Sequence, residues 1–297
     1  MRISIHSSFG SVHIITILRL LISTVFIISQ NTIAQTDITN NDSVVIVEAQ
    51  TVNAGKYDNH RKIEVGTGGK IKTKKTHRTE VESQFDWHTH LLWESRYVSE
   101  GRDNLSGDNI ISLSSDFIFD KLTFVPWVAY SAGADYSELN LNVVYSTSLT
   151  KELTASLGYN HIRSRYHGEG AWDNEISLDL DHKLLNQLAV FASIYHSFDA
   201  NGSFTDIGTR YEYTQSKKVH YHVEASLGAN AGYISDGHNG LNHFQIRADA
   251  SYLPMMQIEF YTYVGYNNAI NRDATQYAGD ELLEGFFWGG IGLNYLF

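Results

Sequence analysis

Two pairs of histidines, His88/His90 and His220/His222, stand at i, i+2 spacing, so in an extended chain both imidazoles of a pair share one face. Four imidazoles brought together could hold a metal ion. Hydrogen bonding, or a face whose polarity changes with pH, asks less of the fold and is the plainer reading. The same alternate spacing places Asp86, Glu94, Arg96, Asp116, Glu175, Asp179, Asp181, Arg210, Glu212, Glu224, Arg247, Asp249 and Glu259 on polar faces with them. Charges repeated at period two line a surface rather than build a catalytic centre. With acid in excess, such a lining favours cationic or neutral solutes over anions. No cofactor motif accompanies it: in Gly66-Thr-Gly68-Gly69-Lys70 the lysine is followed by Ile71 and the glycine spacing is wrong for a phosphate loop.

The elements that must carry these residues are strands. From Phe85 onward apolar and polar residues alternate in about twelve segments of roughly ten to thirteen residues. Phe85 to Val98 sets Phe85, Trp87, Leu91, Trp93 and Tyr97 against Asp86, His88, His90, Glu94 and Arg96. Trp172 to His182 sets Trp172, Ile176, Leu178 and Leu180 against Asp173, Glu175, Asp179 and Asp181. These runs are near or beyond the length a tilted strand needs to cross a bilayer. Hydrocarbon cannot satisfy a sheet edge, so they must close into a barrel.

The connections alternate in length. Short ones are expected at Asp120-Lys121, Thr150 to Glu152, Lys183 to Gln187, Ser216 to Lys218 and Leu253 to Met256. Long ones are expected at Ser99 to Gly107, Ala132 to Tyr136, Ser164 to Ala171, Asp199 to Ser203, Ile234 to Asn242 and Asn268 to Glu284. Six long loops and five short turns imply twelve antiparallel strands, with periplasmic turns and termini and extracellular loops. Pro126 interrupts the third strand, where a bulge is expected.

Ahead of the strands, residues 1–34 read as a signal peptide: Arg2 and Arg19, the apolar run Leu20 to Ile28, and a cut after Thr32-Ile33-Ala34. Residues 35–84 lack sustained periodicity and read as a flexible periplasmic segment with a basic run from Lys70 to Arg78. The 297-residue chain has net charge −11 and no cysteine. Disulfides and thiol chemistry are thereby excluded. Residues 35–84 hold eight basic against seven acidic groups, while 85–297 hold twelve against twenty-six, which argues against a nucleic-acid partner for the main body.

The terminal run Ile291-Gly-Leu293-Asn-Tyr295-Leu-Phe297 resembles the C-terminal signature of bacterial outer-membrane barrels, which implies that Leu293, Tyr295 and Phe297 are read by the barrel-assembly machinery. Trp93-Glu-Ser95-Arg-Tyr97-Val98-Ser-Glu-Gly101 resembles the opening strand of an uncharacterised proteobacterial outer-membrane family, Gcw_chp, which implies fold and location but no activity. Asp42 to Ala49 is similar to the energy-coupling box of TonB-dependent receptors, but no plug domain follows and the stretch reads as β-prone chain. His196-Ser197 only superficially resembles the His-x-Ser-Asn motif of outer-membrane phospholipases and lipid A deacylases, since Phe198-Asp199 follows and Asn201 comes too late.

The expectation is therefore an all-β, twelve-stranded antiparallel transmembrane barrel over 85–297, non-enzymatic and without cofactor. It would sit in outer-membrane lipid and pass small polar solutes. A closed barrel with a structural or surface-interaction role is the alternative, with lipid hydrolysis behind it.

Overall fold

The computed structural model describes residues 61–65, 71–75 and 85–296. The expected signal peptide and its cut after Ala34, the segment 42–49, the glycine-rich run 66–70 and Phe297 lie outside the described residues. Within the segment expected to be flexible, β1 (Arg61–Val65) and β2 (Ile71–Lys75) pair antiparallel.

Twelve strands close a barrel. They are β3 (Phe85–Glu94), β6 (Ile110–Phe119), β7 (Leu122–Ser131), β8 (Tyr136–Ser148), β9 (Leu153–Tyr166), β10 (Glu169–Lys183), β11 (Leu188–Ser197), β12 (Gly202–Thr214), β13 (Val219–Ala231), β14 (Gly240–Met255), β15 (Ile258–Ala269) and β16 (Phe286–Leu296). A two-residue pair of strands, β4 (Val98–Ser99) and β5 (Arg102–Asp103), lies in the loop after β3. Every barrel strand is antiparallel to its sequence neighbours, and β16 returns to β3 over Gly290↔Glu94 to Leu296↔His88. The closed ladder leaves no edge to desolvate.

Alternation decides which side chains face where. Leu91, Trp93, Leu113, Leu157, Ile207, Val264 and Ile291 are exposed on the outer wall, while their neighbours in sequence are buried or half-buried inside. An apolar outer wall around a polar interior is the inverse of a soluble protein and fits a barrel in lipid. On the inner wall several large rings lie over glycines of the next strand. A Cβ at Gly292 would come within 2.1 Å of Tyr261, at Gly290 within 2.5 Å of Tyr263, and at Gly265 within 2.4 Å of Trp288. The missing side chains let these rings lie along the wall.

Three expectations are corrected. Ser164 to Ala171 is no loop: β9 and β10 run on to a two-residue turn at His167-Gly168, both with positive φ (48° and 83°). Two left-handed residues are what a tight hairpin of this twist requires, and glycine supplies one of them. At Pro126 the register of β7 against β6 is unchanged on both sides; only the Ser115 and Asp116 rungs are missing. The neighbouring Val125 carbonyl accepts from the Asn142 amide at 3.1 Å. The register shifts lie instead between Gly228 and Ala229 where β13 meets β14, and between Tyr252 and Met255 where β14 meets β15, around Pro254. Finally, β3 stops at Glu94. Tyr97 is not on the outer wall but buried with Leu105, Ile110, Trp127 and Ala129, and Arg96 lies beyond the strand.

Candidate pore lining

The polar residues expected to face the lumen are placed by strand alternation. Asp86, His88, His90 and Glu94 share the inner face of β3, and Asp116 that of β6. Glu175, Asp179 and Asp181 lie on β10, Arg210 and Glu212 on β12, His220, His222 and Glu224 on β13, Arg247 and Asp249 on β14, and Glu259 on β15. Arg96 is the exception, pairing with Asp103 in the loop with its guanidinium 5.3 Å from the Phe286 ring.

Part of the inward set forms two belts along the wall, while Asp179 accepts from Ser193 at 2.6 Å and His220 lies 3.1 Å from Thr214 outside them. In the longer, Arg210 donates to Asp181 at 2.9 Å and approaches Glu224 at 3.6 Å. His222 lies 3.8 Å from Glu224 and 3.2 Å from Asp249. Arg247 donates to Asp249 at 2.6 Å and sits 3.8 Å from the centre of the Tyr263 ring, whose hydroxyl donates to Glu94. The belt thus crosses from β10 to β3. In the shorter one Asn294 donates to Glu259 at 2.8 Å, and His90 lies 2.7 Å from Asn294 and 2.9 Å from Asp116. Pairing along the wall satisfies charges that would otherwise be desolvated.

The two histidine pairs are not brought together. β13 and β3 are four strand steps apart, on the order of 19 Å along the wall. Among the described residues no group of three metal-ligating side chains converges. His196 and Ser197 fall on opposite faces of β11: Ser197 is buried inside and accepts from the Ala200 amide at 2.9 Å, whereas His196, outside, lies 3.0 Å from the Ser203 hydroxyl. They cannot act on one another.

Some inward residues escaped the sequence reading. Glu138 on β8 is buried and accepts from Tyr97 at 2.7 Å and from Tyr136. The alternation of Glu138, Asn140 and Asn142 with Leu139, Leu141 and Val143 carries the signal that would have found it.

At the loop end of the barrel, three loops are tied to one carboxylate. Asp280, fully buried at 0 % exposure, sits in a short 3-10 turn (Ala278–Glu281) of the loop between β15 and β16. It accepts from the His238 amide at 3.2 Å and the Asp273 amide at 2.9 Å, and lies 2.7 Å from the His238 ring. Arg102 of the first loop donates to it at 3.4 Å and to the Gly279 carbonyl at 3.0 Å. Burial raises the Asp280 carboxyl, but the two amides and His238 outweigh it and hold the group below the usual carboxylate range. Burial lowers the Arg102 guanidinium from its ordinary value against the pull of Glu100, Asp280 and Asp236. The first loop also reaches inward: Val98 packs on Tyr263 and Trp288, and Asn267 of β15 donates to the Gly101 carbonyl at 2.8 Å. From the loop after β13, Tyr233 donates to Glu175 on β10. The loops therefore fold over the mouth rather than stand clear of it.

No family model and no curated protein match the sequence. Solved structures do match in fold. A KdgM porin superposes with TM-score 0.50 at 12 % identity, over 71 % of this chain and 99 % of that one. A NanC porin gives 0.49 at 11 % over 70 % and 98 %, and LpxR from Salmonella typhimurium 0.46 at 9 % over 71 % and 100 %. At 12 % identity the likeness to the KdgM porin is one of architecture alone, that of a twelve-stranded antiparallel outer-membrane-type barrel.

Proposed function

We propose that the protein is a passive channel of the bacterial outer membrane for small polar or cationic solutes, with turns and termini on the periplasmic side and loops outward. The observation that carries this reading is the inner wall. It bears Asp86, Asp116, Glu175, Asp179, Asp181 and Glu259 among others, against Arg210 and Arg247 as the arginines of the belts. An acidic lining concentrates cations and repels anions without any cofactor or catalytic residue. The fold shared with porins supports the class but not the solute. Leu293, Tyr295 and Phe297 would serve assembly, Leu293 and Tyr295 on the outer face of the strand that closes the barrel.

The loops pinned at Asp280 favour a second reading, a barrel whose mouth is shut and whose role lies at its surface. Single-channel recording of the refolded protein in a planar bilayer under a salt gradient separates the two. Discrete, cation-selective steps that lose selectivity in Asp179→Asn/Asp181→Asn support the channel. A silent bilayer from protein with heat-modifiable gel migration overturns it.

A further inference from the structure

The outer wall holds almost no charge. On the outer faces of all twelve barrel strands the only Asp, Glu, Lys or Arg side chains are Arg163 and Arg165, both on β9, both exposed, two residues apart. Their parity is fixed by the unbroken register of β9 with β8 and β10, which places them on the face of Leu157 and Tyr159. The other five arginines of the barrel region each have a carboxylate: Arg96 with Asp103, Arg102 with Asp280, Arg210 with Asp181, Arg247 with Asp249 and Arg272 with Glu284. No carboxylate stands within ion-pair distance of Arg163 or Arg165 among the described residues.

Their height along the wall is informative. Arg163 is flanked by Leu139 on β8 and Trp172 on β10, the latter 63 % exposed, and Arg165 by Ser137 and Gly170. Below them the face is apolar, with Leu157, Leu178 and Ile176. Beside them lies a polar fringe in which the Tyr159 hydroxyl donates to Asn174 at 2.7 Å and His161 lies 2.9 Å from the same oxygen. A tryptophan at the edge of an apolar band marks a membrane–water boundary. In a barrel seated with this apolar band in hydrocarbon, side chains carried by the β9–β10 hairpin at the height of Trp172 stand at headgroup level.

We propose that Arg163 and Arg165, with Trp172 beside them, form a docking site for the phosphate of an anionic lipid headgroup in the leaflet at the loop end. Guanidinium binds phosphate through paired, charge-assisted hydrogen bonds, and the site's position on the outer wall admits a lipid whose acyl chains lie against Leu157 and Ile176. The assignment shares with the channel reading only the membrane location of the barrel.

The test uses the full mature protein refolded in detergent and exposed to phosphatidic acid or phosphatidylcholine, with retained lipid counted by native mass spectrometry. The wild type retains phosphatidic acid in preference. Arg163→Gln/Arg165→Gln lowers that preference by about fivefold for each arginine, with heat-modifiable migration unchanged. Arg163→Lys/Arg165→Lys keeps part of it, and Lys121→Gln/Lys151→Gln, at the other end of the barrel, keeps all of it. Equal retention by wild type and the glutamine variant overturns the site, as does displacement of the lipid by inorganic phosphate at low concentration. Failure of the protein to enter bilayers at all would sink the membrane reading itself; a silent bilayer would leave this site untouched.

Discussion

Arg210 of β12 reaches past β11 to Asp181 of β10, donating across 2.9 Å to a carboxylate two strands away while its Nε lies 3.6 Å from Glu224 of β13. One guanidinium thus binds three strands of the wall, and it does so from a largely buried position.

Replacing Arg210 by Gln removes that cation and leaves Asp181 and Glu224 facing the lumen without it. Breaking a buried pair of this kind costs about 3 kcal/mol. The expected outcome is a lower unfolding midpoint in denaturant together with a reversal potential shifted toward cation selectivity. A variant with unchanged selectivity would remove Arg210 and its carboxylates from the conduction path.

Ser197→Ala should have no effect on ester hydrolysis, because the adjacent His196 is on the other side of the wall. What the serine does is cap the turn to β12 through the Ala200 amide, so the loss should be about 1 kcal/mol of stability. Assay of the wild type and the variant on a phospholipid ester checks both halves, and an activity that vanishes with Ser197 would restore the enzymatic reading.

The cap over the mouth depends on the charge of Asp280. Because its carboxyl is held below the ordinary value, the stability it contributes is full above the unfolded carboxylate pKa of about 3.9 and is lost as pH falls through the lower folded value. The loops should therefore stay tied at pH 7 and pH 5 and loosen only once pH falls below the ordinary carboxylate range, as read by hydrogen exchange across 270–285. Asp280→Asn should show the acid behaviour already at pH 7, with faster proteolysis of that loop and an intact barrel.

Gly292→Ala puts a methyl within 2.1 Å of the Tyr261 ring, which must then swing off the wall. Overpacking of this sort costs about 1–3 kcal/mol. In a conducting barrel it should also lower single-channel conductance, while Gly240→Ala, with open space around its Cβ position but a positive φ of 107°, should disturb only the local turn.

The barrel was legible in the sequence because its wall faces two different surroundings, which imposes a strict period of two on every strand. The same rule placed Asp179, Arg247 and Glu259 inward. Arg96 and Tyr97 were misplaced because the alternation continues in the sequence for a few residues after β3 has ended at Glu94. The His167-Gly168 turn was hidden among polar residues that read equally well as a loop. Nothing periodic announces the Asp280 cluster: Arg102 and His238 lie 178 and 42 residues from it, and only the closed fold brings them together.

Every lysine of the barrel region, Lys121, Lys151, Lys183, Lys217 and Lys218, lies in or beside a short turn, while the opposite end carries Asp108, Asp135, Asp199, Asp236, Asp273 and Glu281 in its loops. Asp120 and Glu152 at the turns and Arg96, Arg102 and Arg272 in the loops offset only part of this polarity, and in a conducting barrel it would gather cations at one opening and discourage them at the other. A conducting barrel built so should rectify, carrying more current when cations enter from the loop end than when the field is reversed.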